Sequence, residues 1–278
     1  MFRSASTALL AFVTAFAPGL ASAGDLSIPA AEPAPQYAAP VASSPDLVFS
    51  VRGGLSARPE YFGSDDYGLG PDFGLSLRFL KLPGGRTFGS TDPLYQPEGF
   101  GLRGAFAYVG ERDASDYREL TGLRDIDASV ELGLGLGYQS RYFDAFADVR
   151  YGVIGHNAFV GELGADVKMH PTDRLSLSLG PRVTLGSDKY ASTYFGVTAA
   201  ESLASGGALG AFNADGGVIS AGVELGAKYR ISDNWGVEGA VTWDRFTNDA
   251  ADSPIVRQGD RDQYGVRIGL TRRITLDF

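Results

Sequence analysis

Apolar and polar residues alternate without a break from Ile126 to Gln139. Every even position in this run is apolar or small, and every odd position is polar or glycine. Successive side chains of a strand lie on opposite faces, so a period of two predicts a β-strand. The same pattern, strong or weaker, recurs along the chain and predicts ten strands in all. They lie at about 47–56, 72–79, 99–109, 126–139, 143–154, 158–169, 175–185, 218–230, 235–246 and 263–278.

The glycine content argues against a helical protein. Glycine accounts for 38 of the 278 residues, against a usual share of about 7%, and it costs roughly 1 kcal/mol per position inside a helix. Gly133, Gly135 and Gly137 lie on the polar face of one predicted strand, with no helix after them, which excludes a dinucleotide-binding loop. We expect them to leave steric room in a narrow lumen, so that leucine at any of the three would block folding.

The links between the predicted strands differ in length in a regular way. Links after strands 4, 6 and 8 are short, whereas those after strands 1, 3, 7 and 9 are long and polar. The link after strand 5, only a few residues around His156, does not follow this rule. Short turns at one end, long loops at the other and an even strand count are typical of outer-membrane barrels. The link from Leu80 to Glu98 is too long for a turn and has room for another hairpin, so twelve strands is the alternative count.

A soluble barrel would also alternate, but it would carry charges generously on its outer face. Here the polar face is mainly Gly, Ser and isolated charges, and aromatic residues lie near the strand ends. The fold class predicted is therefore all-β, a transmembrane antiparallel up-and-down β-barrel. One residue fits poorly: Arg272 lies on the apolar face of the last strand, so either it lies near an interface or a bulge resets the register.

The first 45 residues are predicted to lie outside the barrel. Arg3, a short apolar stretch at 8–17 and the sequence Ala21-Ser22-Ala23 have the features of a cleaved signal peptide over 1–23, exported by the Sec pathway. Residues 24–45 are rich in Pro and Ala and are predicted to form a disordered periplasmic tether. The barrel is assigned to 46–278, in the outer membrane of a Gram-negative cell.

Charge and residue usage exclude several functions. Asp and Glu number 33 against 24 Lys and Arg, which excludes a nucleic-acid partner because phosphate contacts need a basic surface. No cysteine is present, which excludes disulfides and thiol chemistry. His156 and His170 fall at opposite ends of the barrel, and no serine or acid adjoins His156, so we expect no enzyme, cofactor or metal site. Acidic loop residues either bridge through cations to lipopolysaccharide or, as we favour, form a solvated surface.

Charged residues of both signs fall on the predicted lumen face. Mixed charges at short range are expected to pair and to close a small barrel, rather than to line an ion-selective pore. The charged positions concerned are Arg78, Arg103, Glu131, Asp148, Arg150, Glu162, Arg182, Glu224 and Lys228.

Three segments resemble the MipA/OmpV family. They are Pro59-Glu60-Tyr61-Phe62-Gly63-Ser64, Tyr194-Phe195-Gly196-Val197, and the run from Asp249 to Val256 with Asp252-Ser253-Pro254 at its centre. The resemblance implies an outer-membrane protein in contact with lipid and lipopolysaccharide. The terminal Phe278 resembles the signal read by the barrel assembly machinery.

The best-known member of that family is a scaffold between a murein-degrading lytic transglycosylase and a bifunctional murein synthase. Other members are described as porin-like or adhesive. We therefore expect a non-enzymatic scaffold for these two murein enzymes. The alternatives are a narrow channel and an adhesin that acts through loops 187–216 and 247–262.

Overall fold

A computed structural model describes residues 45–91 and 98–278. The predicted signal peptide, and all of the predicted tether except Pro45, lie outside these residues. The described strands are β1 (Leu47–Pro59), β2 (Tyr67–Lys81), β3 (Thr87–Gly89), β4 (Gly99–Val109), β5 (Ser129–Gln139), β6 (Phe143–Ile154), β7 (Phe159–Thr172), β8 (Leu175–Gly186), β9 (Gly217–Arg230), β10 (Trp235–Phe246) and β11 (Asp262–Leu276). The helices are α1 (Asp188–Tyr194), α2 (Ala199–Ala204), α3 (Asn248–Asp252) and α4 (Pro254–Gln258), with 3-10 turns at Ala114–Asp116 and Arg118–Leu120.

The strands form one antiparallel sheet in the order β3-β2-β1-β11-β10-β9-β8-β7-β6-β5-β4. The sheet curls until β2 lies beside β4, where the rings of Phe73 and Tyr108 are 6.1 Å apart. The result is a nearly closed up-and-down barrel. Four long connections meet at one end, here called the loop end, together with one short connection at 155–158. The other end, the turn end, carries three short turns and the long link from β2 to β4.

The strand count differs from both predicted numbers. The described residues contain eleven strands rather than ten or twelve. Ten of them are 11–15 residues long, whereas β3 has 3 residues and lies in the long link after β2. The strand predicted to begin at Ile126 begins at Ser129 instead, because Ile126 pairs with Arg112 in the preceding loop.

The outer surface of the barrel is apolar. Every long strand contributes exposed hydrophobic side chains, whereas charged side chains alternate with them on the inner face. Examples, one from each long strand, are Leu55, Leu69, Phe100, Leu134, Val149, Val167, Leu179, Leu225, Val241 and Ile268. Such a surface suits lipid. Among the described residues, no helix has the length and hydrophobicity needed to cross a bilayer.

Arg272 keeps its outward position in β11. The pairings of β11 with β1 and β10 show no register shift, so the bulge alternative is wrong. The Arg272 guanidinium lies 4.6 Å from the ring centroid of Trp235, the first residue of β10 at the turn end. A cation over an indole ring near an interface removes the need to bury this charge in hydrocarbon.

The three glycines of β5 are not equivalent. A β-carbon at Gly133 would collide with the carbonyl oxygen of Val149 in β6, and one at Gly135 would lie 2.7 Å from the carbonyl oxygen of Ala147. At Gly137 the nearest atoms are 3.5 Å away, an ordinary contact. The steric need for glycine, judged by the β-carbon alone, is therefore greatest at Gly133 and Gly135 and weakest at Gly137.

Candidate functional site

Four connections at the loop end fold together into one compact layer. They are loops L1 (60–66), L2 (110–128), L4 (187–216) and L5 (247–261), and together we call them the cap. Two clusters of buried apolar side chains hold the cap together. The first contains Ile126, Ala158, Val160, Tyr190, Ala191, Tyr194, Phe195, Ala214, Ile219, Phe246, Ala250, Ala251 and Val256. The second contains Tyr61, Ala114, Leu120, Leu123, Val197, Leu209 and Ile255.

Phe62 of L1 lies at an aromatic junction in the first cluster. Its ring stacks on Phe195 at 5.9 Å and meets Tyr194 edge-on at 5.0 Å and Phe246 at 6.2 Å. Aromatic pairs of this kind add about 0.5–1.5 kcal/mol each beyond the area that they bury. The first two family-like segments, distant in sequence, therefore pack directly on each other.

Gly63 and Ser64 join L1 to the start of β11. The Gly63 N–H donates to Gln263 Oε1 at 3.2 Å, the Asp260 N–H donates to the Gly63 carbonyl at 2.9 Å, and Gln263 Nε2 donates to the Ser64 carbonyl at 3.2 Å. Gly63 has a φ of +97°, and a β-carbon there would lie 2.8 Å from the Cα of Val256. Only glycine meets both demands.

Ser253 attaches L5 to L4. Its hydroxyl donates to the Phe195 carbonyl at 2.7 Å and accepts from the Ile255 N–H at 3.2 Å. Pro254 follows as the first residue of α4, where a missing N–H costs nothing. Asp252 is exposed and accepts from Arg257 at 2.9 Å. The Ser-Pro core of the third family-like segment therefore has a structural role, because it joins L5 to L4 inside the cap.

The remaining residues of the family-like segments support the same layer. Pro59 ends β1. Tyr61 is buried and donates to Glu119 Oε1 at 2.9 Å, and burial together with this carboxylate raises the pKa of the phenol. A β-carbon at Gly196 would lie 2.5 Å from the Ser192 carbonyl.

The cap enters the mouth of the barrel. Val160, Ile219 and Phe246 belong to the ends of β7, β9 and β10, yet they share a cluster with the loop residues. The Tyr194 hydroxyl lies 3.3 Å from Ser129 Oγ at the start of β5, and burial raises the pKa of Tyr194 to about 12. The cap therefore packs against inward-facing side chains and covers this end of the lumen.

His156 lies in the short loop L3 (155–158) and is fully engaged. Nδ1 accepts from the Ala158 N–H at 3.0 Å, which leaves Nε2 as the protonated nitrogen facing Glu131 Oε1 at 3.1 Å. The sequence places no acidic residue next to His156, but the fold brings Glu131 of β5 beside its ring. Ser129 Oγ accepts a hydrogen bond from the backbone N–H of His156 and not from its imidazole ring. Ser129, His156 and Glu131 therefore do not form a serine-histidine-acid relay.

The predicted lumen charges lie on the inner face, and most of them pair across neighbouring strands. Arg78 is on this face of β2, with no ion pair among the described residues. The ion pairs are Arg103–Asp148 at 3.0 Å, Arg150–Glu131 at 2.8 Å, Arg150–Glu162 at 2.6 Å, Arg182–Asp166 at 2.9 Å, Arg182–Glu224 at 3.2 Å and Lys228–Glu238 at 3.5 Å. Paired charges of both signs leave little net field along the lumen.

Arg112 of L2 is a cap residue that sequence reasoning missed. It is 5% exposed, and its guanidinium donates to the Tyr194 carbonyl at 3.2 Å. Burial, with the charge of Arg124 added, lowers the pKa of Arg112 to about 10. Nothing in the local sequence distinguishes it from a surface arginine, because its partner lies in L4.

The first described residues and the C-terminal residue meet at the turn end. The Phe278 N–H donates to Asp46 Oδ2 at 3.0 Å, while its ring is 85% exposed. This bond, together with Lys81 at 2.9 Å, holds the pKa of Asp46 below its ordinary range. Within the described ranges, no group of three or more acidic or histidine side chains is placed to bind a metal ion.

Helix α2 of the cap predicts a pH response. Burial raises the pKa of Glu201, but bonds from the Thr198 N–H and hydroxyl outweigh it and hold the pKa below its ordinary 4.5. Because the pKa of Glu201 is lower in the folded state, its ionised carboxylate stabilises α2 above pH 4.5. That stabilisation is lost as the pH falls through the pKa of Glu201 in the folded state. We expect amide exchange at 198–205, corrected for intrinsic rates, to accelerate at acid pH. Glu201→Gln, which does not titrate, should show no such step; an equal step in both proteins would contradict the assignment.

Several solved structures are similar to the chain. An outer membrane channel from Pseudomonas putida F1 is 11% identical, covering 83% of this chain and 96% of that chain at a TM-score of 0.42. OprG from Pseudomonas aeruginosa is 13% identical, covering 83% and 97% at a TM-score of 0.26. Ail from Yersinia pestis is 12% identical, covering 83% and 99% at a TM-score of 0.26. We infer no function from likenesses this weak.

Sequence comparison gives a firmer result. No curated protein matches the chain significantly. Residues 51–274 match the family model described as MltA-interacting protein MipA. The matched range includes the three family-like segments, which the cap brings together. The chain therefore belongs to the MltA-interacting protein MipA family and is an outer-membrane β-barrel.

Proposed function

We propose that this barrel is a non-enzymatic scaffold that holds a murein lytic transglycosylase and a bifunctional murein synthase at the outer membrane. The observation that carries the proposal is the cap, in which all three family-like segments are used to close the loop end. A barrel built to pass solutes would keep that end open. The family to which the chain belongs supports the choice of partners.

The paired lumen charges support the same proposal. Arg150 and Arg182 each bind two carboxylates inside the barrel, so the strongest charges there are already satisfied. With the loop end capped and the lumen charges paired, the turn end is the surface left for periplasmic partners. Asp46, the residue that follows the predicted tether at 24–45, lies there beside Phe278.

A pull-down of the mature protein in detergent tests the scaffold. We expect it to retain a purified lytic transglycosylase and a bifunctional synthase together. A variant that lacks 24–45 separates the contribution of the tether from that of the turns. Retention no greater than that of an unrelated barrel of similar size would count decisively against the proposal.

Surface recognition by the cap is the second candidate. One observation favours it: Leu203 of α2 is 82% exposed on an otherwise well-packed cap. If the cap is an adhesive surface, Leu203→Asp should reduce cell binding while the barrel stays intact. Unchanged binding would remove this candidate. A narrow channel is not favoured, and we expect bilayer conductance indistinguishable from the blank.

A further inference from the structure

The junction between β2 and β4 differs from every other junction between long strands. Nine such junctions carry hydrogen-bonded ladders, whereas none joins β2 to β4 in the described ranges. Strand β3 pairs only with Phe79–Lys81, at the turn end of β2. Closer to the loop end the two strands approach each other without a ladder: a β-carbon built at Gly104 would lie 3.6 Å from the Leu77 Cβ, and the rings of Phe73 and Tyr108 are 6.1 Å apart. We call this junction the β2–β4 seam.

An unladdered junction inside a bilayer is costly. Lipid offers no hydrogen bonds, so each unsatisfied backbone group facing it costs several kcal/mol. The nine laddered junctions avoid that cost, and the seam does not. Among the strands that the structure describes, the seam is also the one place where two long strands can separate without breaking a ladder. A ligand with polar groups that enters the seam would therefore satisfy backbone groups that lack a partner there.

Arg58 places a positive charge at the seam. Its side chain leaves the inner face of β1, crosses the glycine-lined inner face of β2 at Gly70, and donates to the Tyr108 carbonyl of β4 at 3.4 Å. Its guanidinium carbon lies 5.9 Å from the Tyr108 ring. In the described part of the chain no carboxylate forms an ion pair with Arg58, unlike Arg52 on the same face, which pairs with Asp72 at 2.6 Å.

The level of Arg58 in the barrel indicates what approaches it. Arg58 is the second-last residue of β1, at the loop end, where lipid headgroups meet the barrel surface. On the outer side of the seam Leu69 is 83% exposed and Phe73 is half exposed. A cation inside and an apolar flank outside fit a molecule with an anionic head and apolar tails.

We propose that the β2–β4 seam binds one anionic lipid, with its phosphate on Arg58 between the strands and its acyl chains along Leu69 and Phe73. Headgroup oxygens would also accept from the strand N–H groups that lack a ladder. This site is independent of the scaffold role, which depends on the turn end.

Native mass spectrometry of the purified barrel from micelles that contain equal amounts of dioleoyl phosphatidylglycerol and dioleoyl phosphatidylcholine tests the proposal. We expect one tightly retained phosphatidylglycerol. In Arg58→Gln its retention should fall about tenfold, the usual effect of losing one charge-assisted contact. Arg245→Gln is the matched control, because Arg245 also lies at the loop end but pairs with Asp262 away from the seam. It should retain the lipid as the parent does.

A disulfide across the seam provides the second arm. The 3.6 Å separation at Leu77 and Gly104 is within the range of about 3.5–4.5 Å for disulfides, and the chain has no other cysteine. Oxidised Leu77→Cys/Gly104→Cys should retain as little lipid as Arg58→Gln, and reduction should restore it. Equal retention in the parent, Arg58→Gln and the oxidised variant overturns the proposal. Complete displacement by inorganic phosphate also overturns it, since the site would then take a free anion.

Discussion

Replacing Gly133 with alanine will prevent the barrel from assembling, whereas alanine at Gly137 will be tolerated. The methyl group at Gly133 would collide with the Val149 carbonyl of β6, a backbone atom held in the ladder between β5 and β6. A rotamer change cannot relieve that contact, so the ladder itself must distort. Heat-modifiable migration in SDS gels, in which folded barrels run as compact species before boiling, measures the outcome.

Gly137 is the matched control for this prediction. It lies on the same strand and the same face, but the nearest atoms to its β-carbon position are 3.5 Å away. We expect Gly137→Ala to yield as much folded barrel as the parent and Gly133→Ala to yield almost none. Equal folding of the two variants would contradict the close approach of the Val149 carbonyl to Gly133.

The sequence was sufficient to predict the barrel wall. Alternation predicted the bounds of β4 and β10 as the structure has them, and it predicted which side chains of β5 face outward. This worked because a membrane strand has one environment on each side, so a period of two is imposed along its whole length. Alternation did not locate the short third strand, since three residues are too few to show a period; only the length of the link from Leu80 to Glu98 indicated room for strands there.

The cap could not be predicted in the same way. Its contacts join residues far apart in the chain, such as Ser253 with Phe195, and no periodicity marks a loop that packs. Arg112 and His156 look like surface residues in sequence, yet both are buried. The resemblance to a family pointed to the right segments, but their physical role became visible only when L1, L4 and L5 were seen to meet.

Phe62→Ala will open the cap and leave the barrel intact. Phe62 is half-buried and packs on the rings of Tyr194, Phe195 and Phe246, so its loss leaves a cavity between L1, L4 and the end of β10. Truncating a fully buried phenylalanine costs about 3–5 kcal/mol. Phe62 is half-buried, so we expect a smaller loss, which still opens the cap because loop layers belong to the least stable parts of a fold. We expect proteinase K to cleave within 187–216 and 247–261 at least tenfold faster, while heat-modifiable migration is unchanged.

Leu203→Ala is the control for this change. Leu203 lies in L4 but is 82% exposed, so its truncation removes little buried area and should leave proteolysis at the parent rate. If Phe62→Ala were also to resist protease, the cap would be held by its hydrogen bonds at Gly63 and Ser253 rather than by aromatic packing. The three rings that Phe62 contacts lie at the mouth of the barrel, so loosening the cap also tests what closes the lumen. Bilayer conductance of the parent and of Phe62→Ala provides this test. A conductance that appears only in Phe62→Ala indicates closure by the cap, whereas no conductance in either protein indicates closure by the lumen ion pairs.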